Sequence, residues 1–183
     1  LSIVLLSRHT TCLLNFLHKK KFMAIQIIEY QEQYTSQLVE LILGIQVGEY
    51  GLATSLEAQP DLLQIPEFYQ VNNGNFWLAL DGEKVVGTIS LKIFSATQGA
   101  LRKMFVADGY RGKPHNIAQQ LFERLRATAE QQKLTTIYLG TTDKYLAAHR
   151  FYEKNGFVLM NKTQLPEEFP IVLVDDRFYR LDI

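Results

Sequence analysis

LRKMFVADGYRGKPHNIAQQLFERL, residues 101–125, runs an apolar strand into a basic turn and then into an amphipathic helix. In the helix, Ile117, Leu121, Leu125 and Ala129 recur every four residues and form one apolar face. The turn before it carries Arg111 and Lys113, with Gly112 between them allowing close approach of the backbone. A helix N-terminus offers unsatisfied N–H groups and a partial positive charge, so this arrangement suits a phosphate. Pro114 suits a first helical turn, and Asn116 either takes the left-handed conformation or caps the helix directly. On these residues alone, a phosphate cradle and a plain helix start stand level. The turn is neither a GK[ST] phosphate loop nor a G-x-G-x-x-G, which speaks against nucleoside-triphosphate hydrolysis and dinucleotide binding.

Upstream, NFWLALDGEKVVGTISLKIF places Asp81-Gly82 between two β-rich runs, a hairpin signal. Before it come a strand in AIQIIEY and a helix with Leu38, Leu41, Ile42 and Ile45 at three- and four-residue spacing, capped by Thr35 or Ser36. Residues 55–69 read as an irregular helical segment interrupted at Pro60 and Pro66. Downstream, LTTIYLG is a strand, and Thr142 or Asp143 caps a helix ending at Asn155-Gly156. FVLM and IVLVDDRFYRLDI form the last strands. The order of elements describes a mixed α/β sheet.

A chain of 183 residues, 47% hydrophobic and 21% charged, has the size and balance of one globular domain. Zero formal charge gives no electrostatic case for nucleic acid or an anionic membrane. One cysteine, Cys12, excludes an internal disulfide or a multi-cysteine zinc site and points to a reducing, cytoplasmic location. His9, His18 and His115 show no metal-ligand spacing, so no metal is expected. Residues 1–22 have short broken apolar runs with a basic cluster behind them, fitting neither a membrane span nor a secretory signal. They read as an extension outside the fold, with Met23 opening a domain over 23–183. An amphipathic surface segment is the other reading.

Residues 101–125, taken with TIYLGTTDKYLAAHRFYEKNGF, resemble the GNAT superfamily of acyl-CoA-dependent N-acyltransferases. The resemblance lies in Phe105-Val106 at a strand end, Arg111-Gly112-Lys113 in the loop, and Phe151-Tyr152-Glu153-Lys154-Asn155-Gly156-Phe157 closing a helix. It implies a largely antiparallel twisted sheet flanked by helices. The usual loop pattern is Gln/Arg-x-x-Gly-x-Gly/Ala. Either Asn116 stands where glycine is usual and Lys113 where Gln/Arg is, or Arg111 is the usual arginine and the loop is longer by His115-Asn116.

The resemblance further implies acetyl-CoA as acyl donor, with the backbone of Met104, Phe105 and Val106 pairing along its pantetheine arm. Arg111, Gly112, Lys113, Asn116, Ile117, Ala118 and Gln119 would hold the diphosphate. A strand N–H at Phe105 or Val106 would stabilise the oxyanion, and Tyr152 would protonate the leaving thiolate. His149, one helical turn earlier, reads as a polar helix residue. No carboxylate occupies residues 99–101, where relatives often place a base; Glu49, Asp175 and Asp176 are the candidates. Pro166 and Pro170 bracket a loop on the acceptor side. The expected function is transfer of acetyl to a primary amine, on a small molecule or a protein, in a ternary complex, with a homodimer as a further expectation. A non-catalytic CoA-binding or regulatory protein of the same fold is the alternative.

Overall fold

The hairpin expected at Asp81-Gly82 lies within a seven-stranded sheet, in a computed structural model that describes residues 24–183. The proposed extension over residues 1–22 lies outside the described residues. The strands are β1 (Gln26–Glu29), β2 (Asn75–Asp81), β3 (Lys84–Ile93), β4 (Gln98–Val106), β5 (Thr136–Thr141), β6 (Val158–Met160) and β7 (Arg177–Asp182). Their order across the sheet is β1-β2-β3-β4-β5-β7-β6. Every neighbouring pair is antiparallel except β4–β5. Parallel neighbours need a crossover. That crossover is the helix α3 (Ile117–Gln131), which returns the chain from β4 to β5.

Both faces of the sheet are covered. Successive side chains of a strand point to opposite faces. In β2, Trp77 and Ala79 pack beneath α3 with its Ile117, Leu121, Leu125 and Ala129. Phe76, Leu78 and Leu80 pack on the other face, against Leu38 and Ile42 of α1 (Thr35–Leu43) and against Leu62, Ile65 and Tyr69. All five of these β2 residues are buried, which explains why the strand reads as an unbroken apolar run instead of an alternating one.

Several local expectations are corrected. α1 has no side-chain cap: a short 3-10 turn (Glu32–Tyr34) leads into it, and the Thr35 hydroxyl instead donates to the Glu32 carbonyl at 2.7 Å. Pro60 and Pro66 start helical turns, Pro60–Leu63 and α2 (Ile65–Phe68), where a missing N–H costs little. The helix α4 (Leu146–Lys154) begins after Tyr145, with no cap from Thr142 or Asp143. The final strand is confined to Arg177–Asp182, because Thr141↔Arg177 is its last pair with β5; the Asp176 N–H still reaches the Thr141 carbonyl at 3.0 Å, and residues 171–175 run on past the end of β5.

Leu121 is fully buried between α3 and the sheet. Leu121→Ala is expected to cost about 2–5 kcal/mol, measured as a lower urea midpoint with an unchanged slope.

Candidate active site

β4 is where the sheet opens. It pairs with β5 only at Gln98, Gly99 and Ala100, and beyond Ala100 the two strands part. On its other side β4 stays bonded to β3, but through a bulge. Thr88 faces Phe105 and Ser90 faces Arg102, so Ile89 stands opposite both Lys103 and Met104. Lys103 takes φ +52° there. The buried hydroxyls of Thr88 and Ser90 donate to the carbonyls of Lys103 and Arg102 at 2.7 and 3.0 Å and hold the bulge in place. Residues 104–106 thus present a strand edge that β5 does not cover.

The parting of the strands opens a cleft of about 840 Å³. Met104, Phe105, Val106, Arg111, Gly112, Ala118 and Tyr152 all line it. Asn116 adopts the left-handed conformation, φ 49° and ψ 35°, without a side-chain cap, so the first of its two expected roles is the one found. Its carbonyl accepts the N–H groups of Gln119 and Gln120, and the amides at the start of α3 have no carbonyl of their own helix to bond. Three expected contributors point elsewhere. Lys113 is exposed outside the cleft lining, and Ile117 is buried in the core. The Gln119 amide is committed to Asn155 and Glu123 at 3.1 and 3.2 Å. Pro114 lies in the turn ahead of α3 and not in its first turn, because the helix starts only at Ile117.

Arg111 reaches across the mouth of the cleft. Its guanidinium donates to both carboxylate oxygens of Glu49, at 2.7 and 2.9 Å, and to the Val106 carbonyl at 2.8 Å. Glu49 is therefore tied to the loop. Asp176 is likewise committed, accepting the Asp143 N–H at 2.8 Å. Of the three carboxylates considered as bases, Asp175 alone lines the cleft. Burial pushes its carboxyl up to about 6, against the opposing pull of Arg102. It lies so close over Gly140 on β5 that any Cβ there would collide with the carboxyl.

Tyr152 is buried on α4, packed against Phe157 and Tyr179, and burial raises its phenol, with the Asp175 charge adding to the shift. The phenol therefore keeps its proton throughout the neutral range. His149 is buried and fully engaged. Its Nε2–H donates to the Thr142 carbonyl at 2.9 Å, which leaves Nδ1 to accept from Arg177 at 3.1 Å. It anchors the β5–α4 turn and lies outside the cleft lining.

The far half of the cleft contains residues that sequence reasoning missed. Lys103 pairs with Asp61 at 3.2 Å and donates to Gln59 at 2.6 Å, while Tyr69 donates to the same Asp61 oxygen at 2.5 Å. Gln59 in turn donates to Gln46 at 2.8 Å. Arg102 and the Tyr145 ring complete the wall, and the buried Tyr145 hydroxyl has no partner among the described residues. The loop over residues 170–175 closes one side, anchored by Phe169 packed on Tyr138 and Phe178. The available signal was Arg102-Lys103, two adjacent cations inside an otherwise apolar strand. Among the described residues no His, Cys, Asp and Glu cluster suits a metal, and no helix is long and apolar enough to cross a membrane.

Comparison with known proteins bears on this geometry. The sequence profile of the Acetyltransferase (GNAT) domain matches residues 72–159. The crystal structure of an acetyltransferase of the GNAT family from Staphylococcus aureus Mu50 superposes with a TM-score of 0.84 at 41% identity, over 87% of this chain and 99% of that one. The PaiA N-acetyltransferase of Thermoplasma acidophilum, solved in complex with coenzyme A, shares the fold at a TM-score of 0.66 and 17% identity, over 88% of this chain and 100% of that one. The N-acetylaspartate synthetase of Xenopus tropicalis is 35% identical over 99 residues, which are 53% of this chain and 36% of that protein. The chain thus spans about a third of that curated relative. The sheet parted at β4 and β5, the α3 crossover and the match across nearly the whole staphylococcal protein agree: this chain belongs to the GNAT family of acetyltransferases.

Proposed function

We propose that this chain transfers an acetyl group from acetyl-CoA to a primary amine by direct attack in a ternary complex. The observation that carries the proposal is the single cleft that gathers the free edge of β4, the start of α3, Tyr152 and Asp175. These residues fit the donor. An uncovered strand edge suits an amide-bearing arm, and at the start of α3 the N–H groups of Ile117 and Ala118 have no backbone acceptor among the described residues and are available to a diphosphate. Gly112, at φ +69°, has no atom within 4 Å of where a Cβ would stand, so the loop is open to a ligand there. When bound, acetyl-CoA supplies the activated acyl group and a thiolate leaving group.

The chain's own groups divide the proton work. Asp175 is the base. Its raised carboxyl is still ionised at pH 7, yet is a better proton acceptor than an ordinary aspartate. Tyr152 is the acid, holding a proton at Oη that the departing sulfur needs. The edge amides of residues 104–106 orient the donor and offer N–H groups to a developing oxyanion. Residues 24–183 contain no cysteine, so no cysteine among the described residues carries the acyl group. The acceptor enters from the half of the cleft lined by Gln46, Gln59, Asp61 and the 170–175 loop.

Acetyl-CoA consumption with a panel of amines tests the proposal; no acetyl-CoA binding and no consumption with any amine would refute it. Tyr152→Phe is expected to lower kcat about 10²–10⁴-fold with CoA affinity unchanged in a calorimetric titration. Because Asp175 must lose its proton to act, kcat/KM is expected to rise with pH through an inflection near 6. Asp175→Asn abolishes that limb in the pH profile. Glu49 competes with phosphate for Arg111 in a half-exposed pair. Glu49→Gln is therefore expected to tighten CoA binding about two- to fivefold, read as a lower Kd.

A further inference from the structure

We infer that the acceptor is a zwitterion, an amine that also bears a carboxylate, and that Arg102 holds that carboxylate in the far half of the cleft. The inference rests on the proposed acetyl transfer and specifies its second substrate. Three cations line the cleft: Arg102, Lys103 and Arg111. Lys103 is satisfied by Asp61 and Gln59, and Arg111 by Glu49 and the Val106 carbonyl. Arg102 is different. Among the described residues its half-buried guanidinium has neither an ion-pair partner nor a hydrogen-bond acceptor; its neighbours are the rings of Phe68 and Tyr69, with centroids 5.5 and 6.0 Å from Cζ.

A guanidinium beside aromatic faces is held in orientation while its N–H edge stays available. That edge is a fork of donors which matches a carboxylate through two parallel hydrogen bonds. Leaving those donors partly desolvated and unmatched is unfavourable, so an incoming anion gains from satisfying them. The rest of the wall sets the charge of that anion. Asp61 and Asp175 both face the same space, and among the described residues no second unpaired cation does. With Asp61 neutralised by Lys103, a dianionic phosphate would meet one unpaired cation and the Asp175 carboxylate, whereas a single carboxylate is matched by Arg102 alone. Asp175 then faces the amine end of the same molecule. Positive and negative groups on the two sides of the wall complement the ends of an amino acid. A polyamine or a lysine-rich peptide would bring a cation against Arg102.

Arg102 acts on affinity, so binding is the primary readout. The CoA-saturated protein is titrated calorimetrically with L-amino acids, the corresponding α-amides, and spermidine. At least one amino acid is expected to bind about 10- to 100-fold more tightly than its amide. Arg102→Gln is expected to erase that difference with CoA affinity unchanged, which also shows that the variant is folded. Arg102→Lys restores only part of it, because an ammonium lacks the fork. If no amino acid binds more tightly than its amide, if spermidine binds best, or if the preference survives Arg102→Gln, the inference is overturned. Acetyl-CoA consumption on the same compounds separates the two proposals. Amino acids that bind through Arg102 without turnover would sink the transferase reading alone. Faster acetylation of amides or spermidine than of amino acids would sink the Arg102 inference alone.

Discussion

β4 keeps its hydrogen bonds to β3 along most of its length but bonds to β5 over only three residues. Backbone N–H and C=O groups need partners wherever water is excluded, so a strand edge left open in the middle of a sheet calls for something to complete it. Here Arg111 covers part of that edge by donating to the Val106 carbonyl. The bulge at Lys103 is the local device, since it bends one strand without breaking the ladder that supports it. From that single departure follow the cleft, the placing of Arg102 and Lys103 on its wall, and the room into which α4 delivers Tyr152.

The electrostatics of the cleft depend on the same opening. Asp175 and Tyr152 are both shifted chiefly by burial, and in the same direction, which suits opposite roles. A carboxylate raised to about 6 remains ionised near neutrality and accepts a proton readily. A phenol raised by burial stays protonated and can donate. The loop bearing Asp175 is held over Gly140, the one residue type that leaves space for its carboxyl on β5. Lys103 and Asp61 neutralise each other in the floor, so the net field in that half of the cleft comes from Arg102 and Asp175.

Local signals carried much of the architecture. Asp81-Gly82 located the hairpin, the four-residue spacing from Ile117 to Ala129 located the crossover helix, and Gly156 marked the end of α4. Caps failed at Thr35 and Thr142 because each hydroxyl found partners other than a helix N–H: Thr35 on Tyr30 and Glu32, Thr142 on the Asp143 carboxylate and the Lys144 N–H ahead of α4. A capping motif describes what a side chain can do locally, and long-range contacts decide what it does. Residues 171–174, Ile-Val-Leu-Val, read locally as strand because they are apolar and mostly β-branched. They form a loop because β5 ends at Thr141, whose carbonyl takes the Asp176 N–H, and offers the residues before it nothing to pair with.

The site divides along the same line. Phe105 through Gly112 is one contiguous stretch and the aromatic-Tyr-Glu-Lys-x-Gly-Phe frame around Tyr152 is another, so the sequence by itself determined the family, the basic turn at the mouth of the cleft and the phenol within it. Gln59 with Asp61, Arg102 with Lys103, and Asp175 come from three separate segments, and the spacing between those segments carries no trace of their meeting. Only the tertiary structure decided which carboxylate faces the cleft, which histidine is occupied and which cleft arginine has no ion-pair or hydrogen-bond partner among the described residues. The physical reason is that burial and pairing are properties of what packs around a charge, and for these residues the neighbours are supplied by a parted sheet and a returning loop.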